Sequence, residues 1–166
     1  MNIVLIGYRG TGKTSVAKIL AERLKWPLVS TDTEIVRKAG MGVPAIIQKR
    51  GWDQFRDLES HICRRVGAKD RTIIDTGGGA ILRKENVDSL RQRGRVFWLT
   101  AETATIMERI KGGTERPSLT SKKTYVEEVE EVLKERLPLY KAACDQVIPT
   151  DGRTLDEIAD EIQSKM

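Results

Sequence analysis

The sequence predicts a single α/β domain in which helices cover both faces of a five-stranded, mainly parallel sheet. Two observations carry this prediction: short apolar runs alternate with stretches of helical periodicity, and the 166 residues fit one ordinary domain. Alternating strands and helices are typical of a parallel sheet with a helical layer on each side. We therefore expect residues 1–166 to form one three-layer α/β/α unit.

Five apolar runs are predicted to be strands buried on both faces, because helices cover both sides of a parallel sheet. In chain order they are residues 3–6, 27–29, 72–74, 96–99 and 146–148. Open α/β sheets bind their ligands at the carboxyl ends of the strands. The candidate motifs described below directly follow such runs, which favours that location for the site.

Helical periodicity appears between the runs. Residues 52–66 keep their apolar side chains on one face, and a long amphipathic helix is expected to end at residues 135–140. Before the C-terminal helix, Thr154 is followed three residues later by Glu157, a capping-box pattern. These elements complete the predicted alternation.

Composition limits the function classes. Lysine and arginine number 29 against 24 aspartate and glutamate, and the net charge of +5 suits an anionic ligand but is too small to indicate nucleic acid. No apolar run approaches the ~20 residues of a membrane span, and no signal peptide is expected. Two cysteines, Cys63 and Cys144, and one histidine exclude a disulfide scaffold, a zinc finger and a catalytic triad. These features favour a cytoplasmic protein without nucleic-acid or membrane partners.

Residues 7–14, GYRGTGKT, match the phosphate-loop pattern G-x-x-x-x-G-K-[ST] in full, between a buried strand and an amphipathic helix. In such a loop, backbone N–H groups and the helix N-terminus converge on phosphate oxygens. Lys13 is predicted to neutralise the β- and γ-phosphates and Thr14 to ligate Mg²⁺. The two asparagines, Asn2 and Asn86, are not followed by lysine, so the base-reading motif of a regulatory GTPase is missing.

Polar residues that suit a small acidic acceptor follow the other strands. Asp32 comes after the second run, Arg56 lies near the start of a helix, the glycines 77–79 follow the third run, and Arg136 lies on the long helix. Arginine binds carboxylates bidentately, and an aspartate can accept a proton or hydrogen bond from a hydroxyl. Three consecutive glycines permit a close approach of ligand to backbone.

Each of these residues also has a structural interpretation. Arg56 and Arg136 could pair with acidic neighbours on exposed helix faces, and Asp32 could cap the helix that follows it. The residues taken singly therefore leave both interpretations open.

In combination, these residues resemble the shikimate kinase family, small P-loop kinases with a nucleoside monophosphate kinase-like fold, over nearly the whole chain. The motifs that carry the resemblance are residues 7–14, Asp32, Phe55-Arg56, the glycines 77–79, Arg116-Pro117, and Arg136 with residues 138–140. The resemblance implies that ATP and shikimate give ADP and shikimate 3-phosphate, in aromatic amino acid biosynthesis. It also implies a Mg²⁺ requirement and a monomer.

The resemblance assigns roles to individual residues. Shikimate would be held by Asp32, Arg56, Gly77, Gly78, Gly79 and Arg136. ATP would be held by Gly10, Thr11, Gly12, Lys13, Thr14, Ser15, Arg109, Arg116 and Arg153. Catalysis would rest on Lys13, on Asp32 at the attacking hydroxyl, and on Arg116 at the transferring phosphate. Arg116 lies in an expected short lid, residues 111–123, while Arg109 and Arg153 would contact the adenine.

The chain departs from the family pattern at Ser30, where an aspartate usually helps to hold Mg²⁺. Asp75 ends the apolar run 72–74, as a metal-binding carboxylate after a buried strand does, and we hypothesise that it replaces the missing charge. The alternative is that Asp75 only hydrogen-bonds the phosphate loop. Two other functions stay open on the sequence: a kinase for another small acceptor, such as gluconate or a nucleoside monophosphate, and a non-catalytic nucleotide-binding regulator.

Overall fold

The computed structural model describes residues 1–110 and 125–166. These residues form a five-stranded sheet with the order β2-β3-β1-β4-β5, in which every neighbouring pair is parallel. The strands are β1 (Asn2–Ile6), β2 (Leu28–Ser30), β3 (Ile73–Asp75), β4 (Gly94–Thr100) and β5 (Gln146–Pro149). The predicted five-stranded parallel sheet is confirmed.

Seven helices are described. They are α1 (Lys13–Leu24), α2 (Thr31–Ala39), α3 (Val43–Gly67), α4 (Lys84–Gln92), α5 (Thr103–Ile110), α6 (Tyr125–Ala143) and α7 (Leu155–Ser164), with a 3₁₀ turn at Ala80–Leu82. Among the described helices, none has the length and apolar character needed to cross a membrane.

The central strand β1 supplies both cores, because successive side chains of a strand point to opposite faces. Ile3 and Leu5 pack in one core with residues of α1 and α7. Val4 and Ile6 pack in the other with residues of α2, α3, α4 and α6. The three-layer α/β/α arrangement is therefore confirmed, with one helical layer on each face of the sheet.

The expectation that all five strands are buried on both faces is wrong for three of them. β1 and β3 are fully buried, whereas all of β2 is partly exposed, Val147 in β5 is 43% exposed, and Trp98 in β4 is partly exposed. The strand order explains the exposure of β2 and β5, since these two strands form the edges of the sheet.

Two helices are longer than predicted. α3 begins nine residues before residue 52 and runs through a kink at Gly51, whose φ of 84° breaks the helical geometry. α6 continues beyond its expected end at residues 135–140, through Pro138 to Ala143. The predicted cap of α7 is confirmed, because the Thr154 side chain accepts a hydrogen bond of 3.1 Å from the Glu157 N–H.

Candidate active site

A cavity of about 960 Å³ opens at the carboxyl ends of β1, β2 and β3. Phosphate-loop residues line one end of it, and Trp52, Arg56 and Arg136 line another part. The lining also includes Ser15, Lys18, Ser30, Asp32, Glu34, Arg37, Asp75, Gly77, Gly78, Arg109 and Glu128. Most of the predicted nucleotide and acceptor residues therefore meet in one space, at the edge of the sheet where the parallel topology favours a ligand, whereas Thr11, Gly79 and Arg153 are not among the lining residues.

The phosphate loop connects β1 to α1 and holds its lysine internally. Lys13 is only 7% exposed, and its ammonium donates hydrogen bonds to the carbonyls of Gly7 (2.7 Å) and Tyr8 (3.1 Å). The Thr11 hydroxyl donates to the Tyr8 carbonyl at 2.8 Å, so its side chain supports the loop. Gly12 is the N-cap of α1, which directs the helix N-terminus into the cavity.

Thr14 and Asp75 meet beside this loop. The Thr14 hydroxyl donates a 2.7 Å hydrogen bond to Asp75 Oδ2. Burial raises the pKa of Asp75, against the opposing effects of Lys13 and of the Thr14 hydrogen bond. Ser30 is the register partner of Asp75 on the neighbouring strand, so the two positions lie side by side at the sheet edge.

The start of α2 is capped by Ser30, not by Asp32. The Ser30 hydroxyl accepts a hydrogen bond of 3.3 Å from the Thr33 N–H, which gives this side chain a structural role. The alternative that Asp32 caps this helix is thus wrong, and Asp32 lies in the first turn and lines the cavity. Glu34, also in the first turn, forms ion pairs with Arg37 and Arg65.

Arg56 is fixed on three sides. Its Nη1 forms a 2.7 Å ion pair with Glu59, whose side chain is completely buried. Its guanidinium carbon lies 5.3 Å from the Trp52 ring centroid and 5.2 Å from that of Phe55, within the range of cation–π attraction. A Cβ at Gly79 would lie 2.6 Å from this carbon, so a side chain there would displace the guanidinium from this position. The pairing considered for Arg56 exists, but in the protein interior and not on a solvated face.

Arg136 reaches the same loop from α6. It is 8% exposed, and its guanidinium carbon lies 6.0 Å from the centroid of the Tyr8 ring. Its Nη1 lies 3.5 Å from the position that a Cβ would occupy at Gly78. A Cβ at Gly78 would thus make only an ordinary van der Waals contact with Arg136, so it is Gly79 that leaves room for an arginine, while Gly77 and Gly78 line the cavity.

Comparison with known proteins identifies the P-loop family of this chain. A sequence profile of the family described as shikimate kinase matches residues 9–166. The shikimate kinase of Thermodesulfovibrio yellowstonii is 42% identical over 161 residues, which are 97% of this chain and 92% of that protein. The chain belongs to the shikimate kinase family. As a member of this family it is an ATP-dependent kinase, and the predicted family is confirmed.

Solved structures agree with this family. The shikimate kinase from Acinetobacter baumannii, in complex with shikimate, superposes with a TM-score of 0.93 at 32% identity and covers 99% of this chain and 91% of that one. A gluconokinase from Sinorhizobium meliloti 1021 has a TM-score of 0.57 at 19% identity, covering 98% and 89%. The second likeness is one of fold alone.

Arg109 and Arg153, which were expected to contact the adenine of ATP, have different surroundings. Arg109 lines the cavity and donates hydrogen bonds of 3.1 Å to the Gly10 carbonyl and the Thr150 hydroxyl. Arg153 is bound to Glu161 at 2.6 Å and to the Pro149 carbonyl, and it is not among the cavity-lining residues. Arg116 and the expected lid, residues 111–123, lie outside the described residues.

Two contributors to the site were missed from the sequence: Trp52 and Tyr8. Trp52 lies four residues before Arg56, and such neighbours share one helix face, so the spacing could have identified it as a support. Glu59, three residues after Arg56, was considered only as a partner on a solvated face. For Tyr8, the sequence carried no comparable indication, because its contact with Arg136 joins residues 128 positions apart.

Proposed function

We propose that this chain transfers the γ-phosphoryl group of ATP to the 3-hydroxyl of shikimate, giving shikimate 3-phosphate and ADP for aromatic amino acid biosynthesis. One observation carries the proposal: two largely buried guanidinium groups, on Arg56 and Arg136, share a cavity with the phosphate loop. A paired cationic site close to a phosphoryl donor suits an acceptor that carries both a carboxylate and a hydroxyl.

The acceptor carboxylate binds to Arg56 and Arg136, with Gly77, Gly78 and Gly79 forming the adjoining surface. Asp32, which lines the same cavity, orients the attacking hydroxyl. A loose phosphoryl-transfer transition state needs little assistance from a base, so alignment is the main contribution of this carboxylate.

The donor phosphates lie in the phosphate loop, against the backbone of Gly10, Thr11 and Gly12. Lys13 stabilises charge on the transferring group, with Ser15 nearby on α1, and catalysis is mostly positioning and charge stabilisation. Arg109 packs on the adenine. The Arg153 contact with adenine rests only on family resemblance, as does that of Arg116 with the transferring phosphate.

Mg²⁺ fits the donor set of this site. The Thr14 hydroxyl and the Asp75 carboxylate supply oxygen ligands, which Mg²⁺ prefers, and they already lie 2.7 Å apart. Within residues 1–110 and 125–166 there is no cluster of three metal-binding side chains, which accords with an ion that takes its other ligands from phosphates and water. When bound, the ion neutralises phosphate charge. We propose that Asp75 provides the carboxylate that Ser30 does not.

The test is ADP release from Mg-ATP with shikimate, gluconate and nucleoside monophosphates as separate acceptors. Release with shikimate alone is expected. Release with gluconate or a nucleotide alone would overturn the acceptor assignment, and ATP binding without turnover of any acceptor would point to a regulator. The Arg136→Lys variant is the matched control, because it keeps the charge but loses the bidentate geometry and should weaken shikimate use specifically.

We also propose a cytoplasmic monomer that binds neither nucleic acid nor membrane. The support is the family resemblance and the modest, dispersed surplus of positive charge. Light scattering of the purified full chain, with and without ATP, tests the monomer, and a dimer mass would overturn it.

A further inference from the structure

Tyr140 lies one helical turn after Arg136 on α6, and the roles proposed above do not use it. Its ring is 2% exposed and stacks on Trp98 of β4, with centroids 5.6 Å apart and planes 19° from parallel. The ring therefore belongs to the core between α6 and the sheet. A phenylalanine would fill this core position equally well, so the hydroxyl calls for a separate explanation.

The Tyr140 hydroxyl donates a 2.5 Å hydrogen bond to the carbonyl of Gly78. Gly78 lines the acceptor cavity, and the Arg136 guanidinium packs beside it. One loop residue is thus bonded by Tyr140 and contacted by Arg136, from two consecutive turns of the same helix. The hydrogen bond links α6 to the loop after β3, at the point where the helix delivers its arginine.

The phenol is suited to be a permanent donor. Burial raises the pKa of Tyr140 to about 12, although the nearby Arg136 opposes the shift. The hydroxyl keeps its proton throughout the neutral range, so the bond to Gly78 does not depend on ordinary changes of pH. The short distance places the hydroxyl directly against this carbonyl.

We propose that Tyr140 is a positioning residue for acceptor binding: its bond to the Gly78 carbonyl fixes α6 against the glycine loop, and thereby places Arg136 to pair with the acceptor carboxylate. This inference rests on the proposed function, since it assumes that Arg136 binds that carboxylate. The Tyr8 ring supports the guanidinium from the phosphate-loop side. Without the hydrogen bond to Gly78, α6 would no longer be attached to the glycine loop next to Arg136.

The test is steady-state kinetics of Tyr140→Phe, which deletes only the hydroxyl. Loss of a buried hydrogen bond should raise the KM for shikimate about tenfold and leave the KM for ATP within about twofold. A shikimate analogue with an amide in place of the carboxylate should be used equally poorly by the variant and the unmodified protein. The ratio of kcat/KM for shikimate over the amide therefore falls about tenfold in the variant.

Trp98→Phe is the matched control, because it loosens the packing of the same ring without touching the hydroxyl bond. We expect it to lower the melting temperature while the KM for shikimate stays within about twofold. Equal KM increases in Trp98→Phe and Tyr140→Phe would overturn the proposal in favour of a general packing effect. An unchanged carboxylate-to-amide ratio in Tyr140→Phe would also overturn it.

Should Tyr140→Phe fail to fold, the hydroxyl would be a structural requirement and the positioning role would be overturned. The unmodified protein separates this inference from the proposed function. If it uses shikimate well and Tyr140→Phe does too, only the positioning role fails. If it does not use shikimate at all, the proposed function fails and this inference fails with it.

Discussion

The phosphate loop and the acceptor site share one cavity but are built in different ways. The loop comes from consecutive residues, and its lysine is held by carbonyls five and six positions away. The acceptor site takes Asp32, Arg56, Gly78 and Arg136 from α2, α3, the loop after β3 and α6. The first is encoded locally, whereas the second exists only when four segments have packed. Damage to the loop should therefore appear in turnover, and damage to the acceptor site in binding and stability.

The largest effect is expected at the loop. Lys13→Ala removes a charged donor to the transferring phosphate and should lower kcat by about 10²–10³. The KM for shikimate should change little, because the acceptor residues lie on other elements. Rapid-quench measurement of single turnovers checks this, with circular dichroism as the folding control. A loss confined to the shikimate KM would contradict the division between the two regions.

In the acceptor site, Arg56→Ala should raise the KM for shikimate about 10- to 100-fold, because a charge-assisted bidentate contact is lost. It also removes the ion pair of a completely buried carboxylate, Glu59, which should cost about 3 kcal/mol of unfolding free energy. Steady-state kinetics and urea unfolding measure the two effects.

The matched variant is Arg56→Ala combined with Glu59→Gln, which removes the buried charge as well. We expect it to recover part of the stability and none of the shikimate affinity. Recovery of the affinity too would mean that Arg56 acts only through folding.

Between the two regions, Asp75→Asn should raise the Mg²⁺ concentration for half-maximal rate about tenfold. Adding Ser30→Asp should reverse the change, because the two positions are register partners and aspartate also caps a helix well. A Mg²⁺ titration of rate and of nucleotide binding checks this. An unchanged requirement in Asp75→Asn would leave Asp75 only its hydrogen bond to Thr14.

The smallest effect is expected outside both the phosphate loop and the acceptor site, at the start of α7. Thr154→Ala removes the cap of α7 and should cost about 1 kcal/mol, or about 2–4 °C in melting temperature. Both KM values should stay unchanged. Thermal unfolding and kinetics on the same preparation provide the reference for stability loss without site damage. A rise in the shikimate KM here would show that general destabilisation mimics an acceptor defect.

Most of the fold could be predicted because its information is local. Apolar runs located the strands, and Thr154 with Glu157 located the start of α7. Edge exposure of β2 could not be predicted, because strand order depends on which segments pair. The helix α6 was expected to end at residues 135–140, yet it continues to Ala143, since packing of residues such as Tyr140 supports the last turns.

The site shows the same division. The contiguous loop pattern identified Lys13 and Thr14 without help from structure. The glycines were expected to make room for a ligand, but Gly79 makes room for the Arg56 guanidinium. A single sequence could not reveal that contact, because it depends on how α3 packs against the loop after β3.

The buried ion pair of Arg56 and Glu59 also sets an electrostatic balance. The Glu59 carboxylate lies 2.7 Å from the Arg56 guanidinium, so this arginine presents less net positive charge to the cavity than a guanidinium without a counter-ion would. The same contact holds the guanidinium in one orientation before a ligand arrives. Arg56 is therefore preorganised, and part of the ordering cost of binding is already met when the chain folds.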